Sequence, residues 1–236
     1  MQAVDREAAI GIIGQMATDY VRSHGRSPKT IVVVGGTAKA LRGLRDESED
    51  IDIFYPDDQF HGIAEDIESR SGYRIYVTSK NNLWGQLKIL DIEQDAQVLE
   101  SLEIEGFTVD IAAISPETLF VIKSSSMREK DRDDLPLLIQ VTSPQEIIAR
   151  SEYLLKTLET RQSREECLGN ILSEMQLVYL EPVKPEWFMQ ALELAREYKG
   201  FVEEQFGINV GADILIQPPS DTPEKGNRSS GPRLHL

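Results

Sequence analysis

A β-branched apolar run, residues 30–34, ends directly on Gly35-Gly36, and after thirteen further residues the chain reads Asp50-Ile51-Asp52-Ile53. That spacing leaves few folds open. A run of this length and composition is a buried strand, and two glycines at its end mark a tight turn that side chains with a Cβ would resist. Residues 37–44 then read as a short helix whose first turn offers free N–H groups and the positive end of a helix dipole. In Asp50-Ile51-Asp52-Ile53 the polar and apolar residues alternate at period two, so both carboxylates share one strand face while the isoleucines face the core.

A third carboxylate, Asp110, lies in the apolar run Phe107-Thr108-Val109-Asp110-Ile111-Ala112-Ala113-Ile114. We expect it to join Asp50 and Asp52. Three carboxylates within about 4 Å repel by roughly 4 kcal/mol per pair at an effective dielectric near 20, a cost that a divalent cation removes. Oxygen-only ligands point to Mg²⁺ or Mn²⁺, because one cysteine and three scattered histidines supply no soft or imidazole cluster.

Charge narrows the partners. With 40 acidic and 25 basic residues the net charge is -15, so the overall field repels long polyanions and argues against broad nucleic-acid binding. Local basic groups, Arg22, Arg26 and Lys29 or Lys39, Arg42 and Arg45, could still dock a short RNA end, although the second group also fits the solvated face of a helix. Cys167 is the single cysteine, which excludes an intramolecular disulfide and fits a reducing, cytoplasmic setting. No apolar run is long enough for a membrane span, and residues 1–7 lack the pattern of a signal peptide.

Helical periodicity predicts an amphipathic helix over residues 4–21, a polar helix from Pro56-Asp57-Asp58 to about Ser69, and strands at 73–77, 87–92, 98–104 and 107–114. From Pro116 onward the pattern turns helical. Three apolar faces, 147–158, 167–179 and 187–202, imply a bundle. The fold class is thus α/β (α+β), a mixed sheet with flanking helices followed by a C-terminal helical bundle. We expect a catalytic domain at 1–115, a helical domain at 116–208, and a largely disordered tail at 209–236, rich in proline, glycine and serine.

Taken together, Gly35, Gly36, Asp50, Asp52 and Asp110 resemble the signature of the DNA polymerase beta-type nucleotidyltransferase superfamily. The stretch Lys123-x4-Arg128-x-Lys130-Asp131-x-Asp133-Asp134 further resembles its bacterial branch of toxin and abortive-infection enzymes. One departure is Glu49, preceded by Ser48, where many members carry Ser or Thr just before the first Asp. The resemblance implies metal-dependent transfer of a nucleotide from an NTP donor, with ATP expected, to a hydroxyl acceptor. Asp50, Asp52 and Asp110 would bind the metal ions and act in catalysis. Gly35, Gly36 and Thr37 would hold the phosphates, and Lys123, Arg128 and Lys130 would neutralise the leaving pyrophosphate. The acceptor could be a tRNA end, a protein hydroxyl or a small molecule such as an aminoglycoside, within a toxin–antitoxin or phage-defence role that includes a cognate protein partner. The rival reading is a catalytically inactive, antitoxin-like module of the same fold that acts through protein contacts.

Overall fold

The computed structural model describes residues 3–55, 57, 59–78, 84, 86–126 and 128–211. The expected tail from residue 212 and the expected helix start at Pro56 and Asp58 lie outside the described residues.

Helix α1, Arg6–His24, starts where the Asp5 side chain accepts a hydrogen bond from Ala8 N–H and stops at left-handed Gly25. Its apolar face packs against two strands, Gln97–Ile104 and Phe107–Ala113, and against the helix Gln59–Ser71. Strand β1, Thr30–Val33, leads into α2, Gly35–Leu41, and then into β2, Ile51–Phe54. Helix α3, Gln59–Ser71, precedes β3, Ile75–Thr78; α4, Ile92–Asp95, precedes β4, Gln97–Ile104, and β5, Phe107–Ala113. The five strands form one mixed sheet in the order β3-β2-β1-β5-β4. β1 runs antiparallel to β2 and parallel to β5, so the carboxyl ends of β1 and β5 share one edge of the sheet. The amino end of β2 meets them there.

Helix α5, Pro116–Ser126, follows β5, with the Ser115 hydroxyl accepting from Thr118 N–H. Short turns α6, Glu129–Arg132, and α7, Leu135–Leu138, carry the chain to α8, Pro144–Leu155, which opens on a Ser143/Glu146 capping box. α9, Arg161–Tyr179, is the longest helix of this half. One apolar core is continuous from α1 and the sheet into α5, α8 and α9.

Two local expectations are corrected. Residues 87–92 alternate in sequence yet form only an isolated bridge, Trp84 to Leu87, before α4 begins. The third apolar face is not one helix: Pro185–Phe188 is a 3-10 turn, and α10, Leu192–Glu197, breaks from α11, Lys199–Phe206, at non-helical Tyr198. Pro185 at the first position fits that tight turn.

Cys167 is buried in α9, and burial pushes its thiol up to about 12. The thiolate is the reactive form, so the folded protein should resist alkylation by iodoacetamide at pH 8 and react promptly once unfolded in guanidinium chloride. Rapid labelling of the folded chain would contradict this packing.

Candidate active site

The glycine turn is dictated by what lies against it. Gly35 has φ +58, and a Cβ there would collide with the Asp52 carboxylate; a Cβ on Gly36 would strike the Ser48 hydroxyl. Thr37, fully buried, donates its hydroxyl to Asp50 C=O at 2.9 Å and accepts from Asp52 N–H at 3.0 Å. This single side chain clips α2 to the Asp50–Asp52 segment. The phosphate-holding role expected of the Thr37 hydroxyl is therefore corrected: the group is spent inside the fold and does not line the cavity.

Asp50 and Asp52 open onto a cavity of about 960 Å³. Gly35 and Gly36 line it from the sheet side, and Lys123, Arg128 and Lys130 line it from the helical half. Asp110 is not there. Thr30, at the start of β1, pairs with Asp110, whereas the backbone of Asp52 lies beside Val34, with Val34 N–H donating to Asp52 C=O. Asp110 is thus four residues away along the strands, about 13 Å, and two strands across, about 10 Å. Its carboxylate accepts a hydrogen bond from the Ser101 hydroxyl at 2.6 Å. The expectation that three carboxylates converge is corrected by this register. Among the described residues, no group of three metal-ligating side chains is assembled.

What sequence reasoning missed is the place of Lys39. The sequence offers it as part of a basic group for a short RNA end or as a solvated helix residue, yet it is 1% exposed and ion-paired with Asp134 Oδ1. Asp134 Oδ2 accepts from Lys123 Nζ at 2.7 Å, and Lys123 also meets Asp131 Oδ1 at 2.7 Å. Arg128 Nε closes the chain on Asp131 Oδ2 at 2.6 Å. A second member of that basic group, Arg42, hydrogen-bonds the Ala113 and Ile114 carbonyls, so Lys39 and Arg42 both serve the fold rather than a surface patch, while the third, Arg45, lines the cavity.

A family model described as "Nucleotidyltransferase of unknown function (DUF6036)" matches residues 10–143, more than half of the chain. This chain belongs to that family. The match runs from α1 past residue 115, through the Lys123 to Asp134 stretch, to the cap of α8, and so spans both walls of the cavity. No curated protein and no solved structure matches the chain. Among the described residues, no helix of this DUF6036 member is long and apolar enough to cross a membrane.

The electrostatics of the DUF6036 site are uneven. Burial, reinforced by the neighbouring Asp50 charge, lifts the Asp52 carboxyl from 3.8 to about 6. Asp50 is raised in the same sense by burial and by Glu49, with Arg74, Lys130 and Arg45 opposing. For Asp131 and Asp134, burial acts upward but hydrogen bonds and charge from lysines carry both below the usual carboxylate range. Lys39 is lowered to about 8, by burial first and by Lys123 second.

A stability consequence follows from Asp52. Its raised pKa means that the folded state holds the proton more tightly than the unfolded one, so stability is lost as pH rises from about 4 through about 6. With EDTA present, Asp52→Asn should stabilise the protein at pH 7.5 by on the order of 2 kcal/mol, with the gain vanishing near pH 4. Thermal melts of both proteins across that range provide the check; a variant less stable at pH 7.5 would contradict the crowding of Asp50 and Asp52. Gly35→Ala should cost more than about 2 kcal/mol, since it adds a left-handed strain to a collision with Asp52.

Proposed function

We propose that this protein transfers a nucleotidyl group from an NTP, with ATP as the first candidate, to a hydroxyl acceptor, and that the Asp50/Asp52 cavity is where it does so. One observation carries the reading. In a chain of net charge -15, the cavity is lined by six acidic residues (Glu49, Asp50, Asp52, Asp131, Asp133, Asp134) and six basic ones (Lys39, Arg45, Arg74, Lys123, Arg128, Lys130). A triphosphate repelled by the outer surface finds neutral ground there.

Two hard carboxylates side by side, both partly buried and both with a raised pKa, fit a Mg²⁺ or Mn²⁺ ion. Such an ion, when bound, would neutralise charge on the phosphates as the bond breaks. Asp50 and Asp52 would hold it. Gly35 and Gly36 leave room for the phosphates to approach the backbone. Arg74 and Lys130 line the cavity with no carboxylate in ion-pair range among the described residues, and with Lys123 and Arg128 they would meet the pyrophosphate. The acceptor oxygen bonds to the α-phosphorus, the α–β bridging oxygen leaves with pyrophosphate, and the hydroxyl proton passes to the Asp50/Asp52 pair. A tRNA end, a protein hydroxyl and a small molecule all supply such an oxygen. The toxin–antitoxin or phage-defence role, with a cognate protein partner, is the biological setting we favour.

The rival reading, an inactive binding module, draws on the displacement of Asp110. Calorimetric titration separates the two: ATP should bind only with Mg²⁺ or Mn²⁺, and binding should vanish in Asp50→Ala and Asp52→Ala yet persist in Asp110→Ala. Affinity unchanged by the first two substitutions would favour the inactive module. Loss in Asp110→Ala with the fold intact would restore the three-carboxylate arrangement.

A further inference from the structure

The wall of the cavity beside Asp52 is aromatic. β2 and β3 are parallel neighbours, and their register sets Tyr76 directly across from Asp52, so the two Cα atoms are about 4.8 Å apart and the side chains leave the same face of the sheet. Tyr76 is 44% exposed although it lines the cavity. Trp84 lines the same cavity, held by paired backbone hydrogen bonds with Leu87 at 2.8 and 3.1 Å. The Gln86 amide, a donor and an acceptor together, is also on the lining. Three of the cations stand elsewhere: Lys123, Arg128 and Lys130 come from α5 and the turn after it, while Arg74, two residues before Tyr76, is on the aromatic flank. One flank of the carboxylates is therefore mainly cationic, and the other offers flat rings beside Arg74. Exposed aromatic faces held open in a cavity are the usual platform for stacking a base, and such stacking tolerates every base because each has a π-face.

We infer that Tyr76 and Trp84 form the nucleobase subsite of the donor, stacking the base on the side of Asp52 opposite Lys123, Arg128 and Lys130, with Gln86 meeting the base edge. This rests on the reading of the cavity as a nucleotidyltransferase site and adds to it where the base lies and what holds it. Selection among bases then comes from stacking strength first, so purine triphosphates bind more tightly than pyrimidine ones.

The chain's two tryptophans make the test direct, because Trp187 is 3% exposed in the helical half and stays as an internal reference. ATP, GTP, CTP, UTP and inorganic tripolyphosphate are each titrated with Mg²⁺ into the full chain, following tryptophan emission and heat. The expected result is quenching by the nucleotides, purines above pyrimidines, absent in Trp84→Leu and absent with tripolyphosphate although tripolyphosphate binds. Tyr76→Ala should weaken ATP about tenfold or more and leave tripolyphosphate affinity unchanged, while Tyr76→Phe keeps wild-type ATP affinity. The near-ultraviolet dichroism of Trp187 reports whether each variant is folded. ATP binding no tighter than tripolyphosphate, or equal weakening of both in Tyr76→Ala, would overturn the subsite while leaving the phosphate site standing. If neither ligand binds the wild type, the cavity reading itself fails, and this inference with it.

Discussion

The ion-pair chain Lys39–Asp134–Lys123–Asp131 joins the two halves of this molecule. Lys39 comes from α2, beneath the glycine turn, and the other three come from α5 and the short turns after it. Buried charges are costly unless paired, and removing one member of such a set typically costs about 3–5 kcal/mol because the partner is left bare. The network therefore fixes how the helical half sits over the carboxylate edge of the sheet. It also holds Lys123 at the wall of the cavity that Asp50 and Asp52 open onto. The site exists because two segments far apart in sequence are tied at this point.

Much of the first half could be read from the residues alone, for a local reason. Thr30 to Asp52 packs strand, turn, helix and strand into one contiguous stretch, so period-two alternation placed Ile51 and Ile53 in the core and Asp52 on the cavity face. Asp110 shows the limit. Alternation tells which face a strand residue takes, and Asp110 does share the face of Asp52 by register. It does not tell how far along the sheet that residue lies, which depends on strand order and parallel pairing. At the level of Asp52, β5 leads into apolar Ile114 instead. The same gap hid Lys39: a lysine on a short helix reads as solvated unless its distant partner, Asp134, is known.

The two glycines illustrate how structural and chemical demands coincide. Gly35 and Gly36 are required so that Asp52 and Ser48 can lie flat against α2, whatever ligand arrives. The same lack of side chains leaves the backbone bare toward the cavity. Ser48 and Glu49, which precede the first carboxylate, divide these demands as well: Ser48 is buried under Gly36, and Glu49 stays exposed at the lip beside Asp50.

Nucleotidyl transfer differs from phosphoryl transfer in which phosphorus ends on the acceptor, and a pair of labels resolves it. The purified protein is incubated with Mg²⁺ and a cell extract together with ATP labelled at the α-phosphorus or, separately, at the γ-phosphorus. The account requires label from the α position on an acceptor, with pyrophosphate released, and none from the γ position. Transfer of the γ label instead, or of neither under conditions where ATP binds, would contradict it.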